Sequence, residues 1–427
     1  MPRWIDELRG DLNRLEEAHL LRRLVVVDRA DAPEPPGRLI RREGRTLVNF
    51  ASNDYLGLSD HPKLKQAAID ATARMGTGAG ASRLVTGHLS VHADVETRFA
   101  RFKHAQAALL CPTGYLANLA VLTTLAAPGD LICLDKLCHA SLIDAARASG
   151  ATVRIYPHLN TTKLERLLER DGRPAVRTEL VQFEDRETGP VPLAAPPVAR
   201  TPRRFIVTDS VFSMDGDAAD LPALCELAAR HDAILIVDEA HGTGVLGQTG
   251  AGLCEAQGVS DRVDIVISTA SKALGGLGGI ITARQVVIDS LINHARSFIY
   301  TTAVPAAQAA TIIAALEVVR DEPWRRRRVL ELAQRVRRML GNAKPDTHRD
   351  GGADAVAAGL LTTPIIPLIT GSPESALALS AHLADQGIHA PAIRPPTVAP
   401  SAARVRLSLR ADMTDDDIEH LRRALNR

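Results

Sequence analysis

From about residue 60 to 300, short apolar runs rich in β-branched residues alternate with longer stretches of helical spacing. The runs Ala107–Cys111, Leu131–Asp135, Thr152–Tyr156, Phe205–Thr208, Ile234–Asp238 and Ile265–Thr269 predict short buried strands. Segments of helix length lie between most of them. This predicts an α/β fold on a mainly parallel sheet covered on both faces. Ligands of such sheets bind beyond the carboxyl ends of the strands. Ser213, Asp238, His241 and Lys272 lie at or just after such ends, so the fold can bring them together from distant parts of the chain.

The flanks read differently. Residues 2–24 have the spacing of one amphipathic helix, with Ile5, Leu8, Leu12 and Leu15 on a stripe. A Pro-rich connection (32–36) follows, then a hairpin-like piece around Glu43-Gly44-Arg45. After residue 305 come a helix over Pro305–Arg320 and a second, opened by Asp321-Glu322-Pro323, that runs to Leu340. Strand Pro364–Ile369, helix Ser372–Gln386, strand Val405–Leu409 and helix Thr414–Leu425 complete the pattern. The expected organisation is an N-terminal helical and extended segment (1–54), a large α/β domain (55–304) and a smaller α+β domain (305–427). The Pro- and Arg-rich, weakly periodic stretch Gly172–Arg203 reads as a partly ordered surface insertion. Arg325–Arg328 reads as a solvated helix face rather than a nucleic-acid patch.

Composition narrows the function. Charge is balanced, with 51 basic and 50 acidic residues in 427, and aromatics make up 3%. Neither a strong field nor a base-stacking surface is available for nucleic acid or anionic membrane. The five cysteines are odd in number and lack a C-x-x-C pair, a reduced, cytosolic pattern in which they serve as packing residues. Asp6 and Glu7 stand where a signal peptide would be apolar, and no run approaches a membrane span, so a cytoplasmic protein is expected.

The strand over Ile265–Thr269 leads into Ala270-Ser271-Lys272-Ala273-Leu274-Gly275-Gly276. An ammonium left at a buried edge is costly unless something accepts it. Becoming a neutral, nucleophilic amine, as in imine-forming lysines, is one solution. Thr269 and Ser271 offer hydroxyls to a phosphate, and the glycines let the backbone come close. The plain alternative is a surface lysine in a turn. Yet only seven of the 51 basic residues are lysines, and a lysine kept in so arginine-rich a chain suits a position where a guanidinium, which forms no imine, cannot serve.

Two motifs mislead by their letters. Gly76-Thr77-Gly78-Ala79-Gly80-Ala81 fits a dinucleotide fingerprint, but the helix-like Lys63–Met75 precedes it where a strand is required. Asp238-Glu239-Ala240-His241 spells a helicase tetrapeptide, but the chain has no Gly-Lys dipeptide and hence no phosphate-loop lysine. Beside a protonated heteroaromatic nitrogen, Asp238 would hold the positive charge through a charge-assisted hydrogen bond, with His241 in reach of a ring oxygen. A purely structural pair is the alternative, and no further ligands are spaced for a metal. In Cys111-Pro112-Thr113-Gly114-Tyr115, a helix N-terminus would bind phosphate and Tyr115 would cover a ring. His139 opens another helix, and Ser213 sits on a turn. An imine-forming lysine, an acid for a ring nitrogen, histidines, a hydroxyl and a phosphate-binding helix end together meet the requirements of pyridoxal 5′-phosphate.

Asn49–Leu58, His139-Ala140-Ser141, Val211–Asp217, Asp238–Gly244 and Thr269–Gly275 closely resemble the α-oxoamine synthases, fold-type I pyridoxal-phosphate enzymes. These condense an amino acid with an acyl thioester and release carbon dioxide. The resemblance runs from about Ile5 to the C-terminus. Ala392-Ile393-Arg394-Pro395-Pro396-Thr397-Val398, Arg22 and the 78–87 region look like the biotin-pathway branch. That branch implies L-alanine and a pimeloyl thioester, carried by coenzyme A or acyl carrier protein. A sister enzyme using glycine or serine, or a non-catalytic cofactor-binding protein, is the alternative.

By matching position, the resemblance implies that Lys272 carries the cofactor and moves the α-proton. Asp238 would pair with the ring nitrogen, His241 and Ser213 with the ring oxygen, and His139 would stack on the ring. Gly114, Tyr115 and Thr269 would hold the cofactor. Thr302 would reach the phosphate of a neighbouring subunit, which implies a homodimer. Asn53 and Arg394 would meet the amino-acid carboxylate, and Arg22 and Thr397 the acyl substrate. Cys138, before His139, departs from the serine usual in that branch, and Ala399-Pro400-Ser401-Ala402 departs from its Pro-x-Gly-Thr.

Overall fold

The computed structural model of the chain describes residues 2–30, 37–170, 201–341 and 362–426. The Pro-rich connection and nearly all of the 172–203 insertion lie outside the described residues. In chain order the strands are β1 (Asp28–Arg29), β2 (Leu39–Arg42), β3 (Arg45–Asn49), β4 (Ala107–Cys111), β5 (Leu131–Asp135), β6 (Thr152–Tyr156) and β7 (Arg204–Asp209). Then come β8 (Ala233–Asp238), β9 (Ile265–Thr269), β10 (Gly279–Ala283), β11 (Ile365–Gly371), β12 (Ile388–His389), β13 (Ala392–Ile393) and β14 (Ala403–Ser408).

The central sheet has seven strands in the order β4-β10-β9-β8-β7-β5-β6. Strands β5 to β9 pair in parallel, while β10 runs antiparallel to both β4 and β9. All six strands expected from the apolar runs are present, and β10 is additional. Its start is hidden by a glycine cluster that reads as a loop. A Cβ on Gly279 would lie 2.3 Å from the Thr113 carbonyl oxygen, so glycine is what lets the strand begin there.

Strand residues alternate strictly between two cores. Leu110, Ile206, Leu235, Val237 and Val266 face one layer, packed under helices Ser90–Phe102, Leu221–Arg230 and Ala306–Asp321. Leu109, Phe205, Val207, Ile236 and Ile267 face the other, under Gly114–Leu125, Ala140–Ala148 and Gln285–His294. Each fully buried branched or aromatic side chain contributes about 1.5–3 kcal/mol. This double burial explains why the strands read as continuous apolar runs.

Two smaller sheets flank the centre. Strands β1, β2 and β3 form antiparallel pairs that gain β12 in parallel, with Ile388 opposite Val48. The N-terminal segment is thereby joined to the C-terminal part of the chain. Strands β11, β14 and β13 form the other sheet.

Two expectations need correction. The first helix spans Arg3–Glu17 and does not reach Leu24. His19 takes a left-handed conformation (φ 57°), which stops it. Of the arginines at 325–328 only Arg327 is exposed, so the run does not form a solvated face. Arg326 is buried and donates to the Gln248 and Val319 carbonyls, Arg325 to the Leu56 carbonyl, and Arg328 to Asp415. They tie the helix Trp324–Met339 to neighbouring loops. Among the described residues, no helix is long and apolar enough to cross a membrane.

Candidate active site

The carboxyl ends of β7, β8 and β9 and the start of the helix Gly114–Leu125 enclose a cavity of about 250 Å³. Lys272, Asp238, His241, His139, Tyr115 and Thr269 all reach its wall, as does Gly114. Residues separated by up to 158 positions thus converge where a doubly covered sheet places its ligands.

Lys272 sits in the loop between β9 and β10. The loop is held tightly: a Cβ on Gly275 (φ 66°) would lie 2.4 Å from the Ser59 backbone nitrogen. The Asn49–Leu58 stretch therefore ends directly against the lysine loop. Burial lowers the Lys272 pKa from its usual value, opposed by the carboxylates Asp238 and Asp209. A lowered amine pKa favours the nucleophilic form.

Asp238 closes β8 and is buried. Its Oδ1 accepts the Ala240 N–H at 2.9 Å and its Oδ2 accepts from Asn118 Nδ2 at 2.8 Å. The same amide nitrogen of Asn118 donates to Ser141 Oγ at 2.7 Å, and Ser141 Oγ lies 2.7 Å from His139 Nδ1. Asn118 thus links the acid to the histidine that caps the helix Ala140–Ala148. The Asn118 Oδ1 atom is buried without a partner among the described residues. Burial lowers the His139 pKa, so its ring is neutral near pH 7.

His241 lies 2.6 Å through Nδ1 from the Tyr55 hydroxyl. Arg406 donates to that hydroxyl at 3.1 Å and to Asn53 Oδ1 at 3.0 Å. The hydroxyl also lies 3.3 Å from Asn53 Oδ1, a second acceptor for its proton. In the tautomer whose Nδ1 accepts from Tyr55, His241 keeps its Nε2–H free to donate. Burial drives the His241 pKa well down, and the Lys272 and Arg406 charges add to this, so the imidazole is neutral. Asp209 behaves oppositely: burial, reinforced by Asp238, raises its carboxyl well above the usual range.

The far end of the cavity is suited to an anion. Thr113 caps the helix Gly114–Leu125, and a Cβ on Gly114 would lie 3.6 Å from Thr269 Oγ1, so that hydroxyl stands beside the helix start. Thr269 Oγ1 lies 2.8 Å from Ser271 Oγ. Tyr115 donates from its hydroxyl to Asp144 at 2.8 Å.

The remaining expected residues fall elsewhere. Ser213 lies in the turn after Val211 and is not among the cavity-lining residues. Thr302 is exposed and bridges Ser82, also outside the lining. Asn53 reaches the site only through Tyr55 and Arg406. Arg22 donates to the Pro395 carbonyl at 3.1 Å and to Thr397 Oγ1 at 3.4 Å, so this pair, remote in sequence, is brought together. Arg394 joins the same cluster but donates to the His19 and Leu21 carbonyls. Cys138 is buried, with its Sγ 3.5 Å from the Val207 carbonyl, where it packs rather than touching the cavity.

Sequence reasoning missed Asn118, Tyr55, Asp209 and Arg406. Tyr55 lies inside a motif that was singled out for other residues, and Asn118 three positions beyond the end of another. A signal for Arg406 was present: arginines alternate with Val405 and Leu407 in a strand that is buried throughout.

The chain matches the family described as aminotransferase class I and II over residues 45–425. A relative named 8-amino-7-oxononanoate synthase from Geobacter sulfurreducens is 39% identical over 421 residues, covering 98% of this chain and 96% of its own length. One of the same name from Stutzerimonas stutzeri is 40% identical and covers 95% and 93%. Among solved structures, a variant of the serine palmitoyltransferase from S. paucimobilis with a bound pyridoxal-phosphate–myriocin aldimine superposes with a TM-score of 0.81 at 24% identity, covering 98% of this chain and 96% of that one. The 8-amino-7-oxononanoate synthase of Francisella tularensis superposes at 0.67 with 25% identity, covering 89% and 96%. By sequence and by fold the chain belongs to the class I and II aminotransferase family and, within it, to the α-oxoamine synthases, in the branch of the 8-amino-7-oxononanoate synthases.

Proposed function

We propose that this chain condenses L-alanine with a pimeloyl thioester, carried by coenzyme A or acyl carrier protein, to give 8-amino-7-oxononanoate and carbon dioxide for biotin synthesis. The convergence of Lys272, Asp238, His241 and His139 on one cavity carries the reading. The cofactor is pyridoxal 5′-phosphate, and the cavity fits it: an amine for the aldehyde, a carboxylate for the ring nitrogen, and a helix terminus with hydroxyls for the phosphate. When bound there, it supplies an aldehyde that captures the amino acid and a cationic ring that stabilises the electron pair left by the departing α-proton.

The chain's own residues do the rest. Asp238 keeps the ring nitrogen protonated, with Asn118 and the Ala240 amide fixing its two oxygens. His241, through Nε2–H, would hold the ring oxygen, and His139 would cover the ring face. Gly114, Tyr115 and Thr269 hold the phosphate end. Lys272, tethered beside the α-carbon, removes and returns the proton, which an untethered base would do far more slowly. Arg406, whose Nε is buried without a partner among the described residues, offers a guanidinium to the amino-acid carboxylate beside Asn53. Arg394 would supply a second cation by leaving the His19 and Leu21 carbonyls that it now holds. Arg22 and Thr397, already in contact, would bind the acyl substrate. Ser213, in the turn beside Val211, would contact the ring oxygen together with His241.

Asn118→Ala removes a hydrogen bond to a charged group, so it should weaken cofactor binding by about 10- to 100-fold while leaving the fold intact. An absorbance titration of the cofactor, alongside thermal denaturation, checks this.

We read the protein as a cytoplasmic homodimer in which Thr302 serves the neighbour's phosphate site. Residues 55–304 would form the cofactor-binding domain, 305–427 the smaller domain and 1–54 the N-terminal segment. Substrate choice is tested by free-thiol release from pimeloyl-CoA with L-alanine, glycine or L-serine. Alanine is expected to give the highest kcat/KM; a clear preference for glycine or serine would replace this reading with a sister enzyme's.

A further inference from the structure

Two turns beside the cavity are fastened together from outside by one histidine that the proposed chemistry does not use. His158, just beyond β6, places Nδ1 2.9 Å from Asp135 Oδ1 and Nε2 2.8 Å from Asp217 Oδ2. A neutral imidazole has a single N–H and could serve only one carboxylate, so a ring that serves both carries two protons. Burial alone would lower the His158 pKa, but hydrogen bonds and charge from Asp135 and Asp217 outweigh it and hold it up at about 10. The ring also meets Phe212 edge-on, at 4.3 Å and 87°.

Each carboxylate shapes a turn that leads into the cavity wall. Asp135 Oδ1 accepts the Leu137 N–H at 2.8 Å, and the Asp135 carbonyl accepts the Cys138 N–H at 3.2 Å. That turn delivers His139, whose own N–H donates to Asp209 Oδ1 at 3.2 Å. Asp217 closes the other turn, where the Phe212 N–H donates to the Asp217 carbonyl at 3.0 Å. Ser213 lies inside it, and Val211, at its root, lines the cavity. Arg404 grips the same turn from β14, donating to the Met214 carbonyl at 3.1 Å and to Asp215 Oδ1 at 2.6 Å.

We propose that His158 is a positioning residue, an imidazolium clamp between Asp135 and Asp217 that sets the turn presenting His139 against the turn holding Ser213. The clamp rests on the reading of His139 as the residue stacked on the cofactor ring. Its removal should lower thermal stability, because Asp135 is left buried without its cation, but the contacts that remain keep both turns formed. Without His158, Asp135 keeps the Leu137 and Leu159 amides, and Asp217, partly exposed, turns its charge to water. What is lost is the relative placement of the two turns.

The test uses the cofactor-loaded enzyme carrying His158→Gln, Asp217→Asn or both. Each single variant is expected to bind a full complement of pyridoxal phosphate and to lose about tenfold in kcat, as displacement of a positioned group does. KM for the acyl thioester should stay within about twofold, since the clamp touches no acyl contact. The visible circular dichroism of the bound cofactor, read without substrate, should change in both variants. The double variant should be no worse than His158→Gln alone, because both break one clamp. Unchanged kcat per bound cofactor with unchanged dichroism, even if thermal stability falls, would overturn the clamp and leave His158 a purely structural residue. If His158→Gln proves insoluble, Asp217→Asn decides by the same two readouts. A wild-type protein that takes up no cofactor would instead overturn the functional reading, and the clamp with it.

Discussion

Lys272→Ala should abolish turnover while leaving a folded protein that still binds pyridoxal phosphate, more weakly and without a covalent link. The loss combines two effects. A positioned general base is worth about 10²–10⁴-fold, and removal of the covalent anchor costs more. The variant should fold because the lysine makes no hydrogen bond or ion pair among the described residues, and the loop that carries it is fixed by Gly275 against Leu58–Ser59 and by the Thr269 side chain on the Gly278 carbonyl. Lys272→Arg should fare no better, since a guanidinium keeps its proton and forms no imine. Added methylamine should restore part of the activity to Lys272→Ala, because the missing group is then a diffusible amine. Near-normal activity in the unassisted variant would remove Lys272 from the mechanism.

Asp238→Asn should cost about 10²–10³-fold in kcat, the range seen when one preorganised electrostatic group is removed. The geometry makes the substitution nearly isosteric, so folding is not the issue. One oxygen can still accept the Ala240 N–H, but the amide that replaces the other would face the Asn118 amide, donor against donor. No negative charge then holds the ring nitrogen's proton, and the α-proton is lost from a less electron-demanding system. The acyl-thioester KM should change little, which separates this from a binding defect. The check is steady-state kinetics together with the rate of α-deuterium exchange of L-alanine without thioester, which should fall in parallel with kcat.

The sheet was legible because its strands are buried on both faces. Residues such as Leu235, Ile236 and Val237 are all apolar, and none could sit on a solvated strand. Lys272, Asp238 and His241 were legible for a related reason: they are polar side chains placed where those apolar runs stop. What escaped was whatever depends on contacts remote in sequence. Asn118 looks like a routine polar residue in a helix until the fold brings it to Asp238, 120 positions away. Arg406 became part of the site only through Tyr55, 351 positions earlier. The end of the first helix turned on the backbone conformation of His19, which no spacing of apolar residues announces. The pairing of Arg22 with Thr397 was legible only through family resemblance, since nothing local to either residue points to the other.

The most direct measurement is chemical fixation of the cofactor. The purified protein is loaded with pyridoxal phosphate, reduced with borohydride, digested and mapped by mass spectrometry. With Lys272 as the anchor, the phosphopyridoxyl mass is found on the peptide containing Ser271-Lys272-Ala273 and on none of the other six lysines, Lys103 and Lys136 included. A label on another lysine, or no label on a protein shown to be folded, would contradict the assignment of this cavity as the active site.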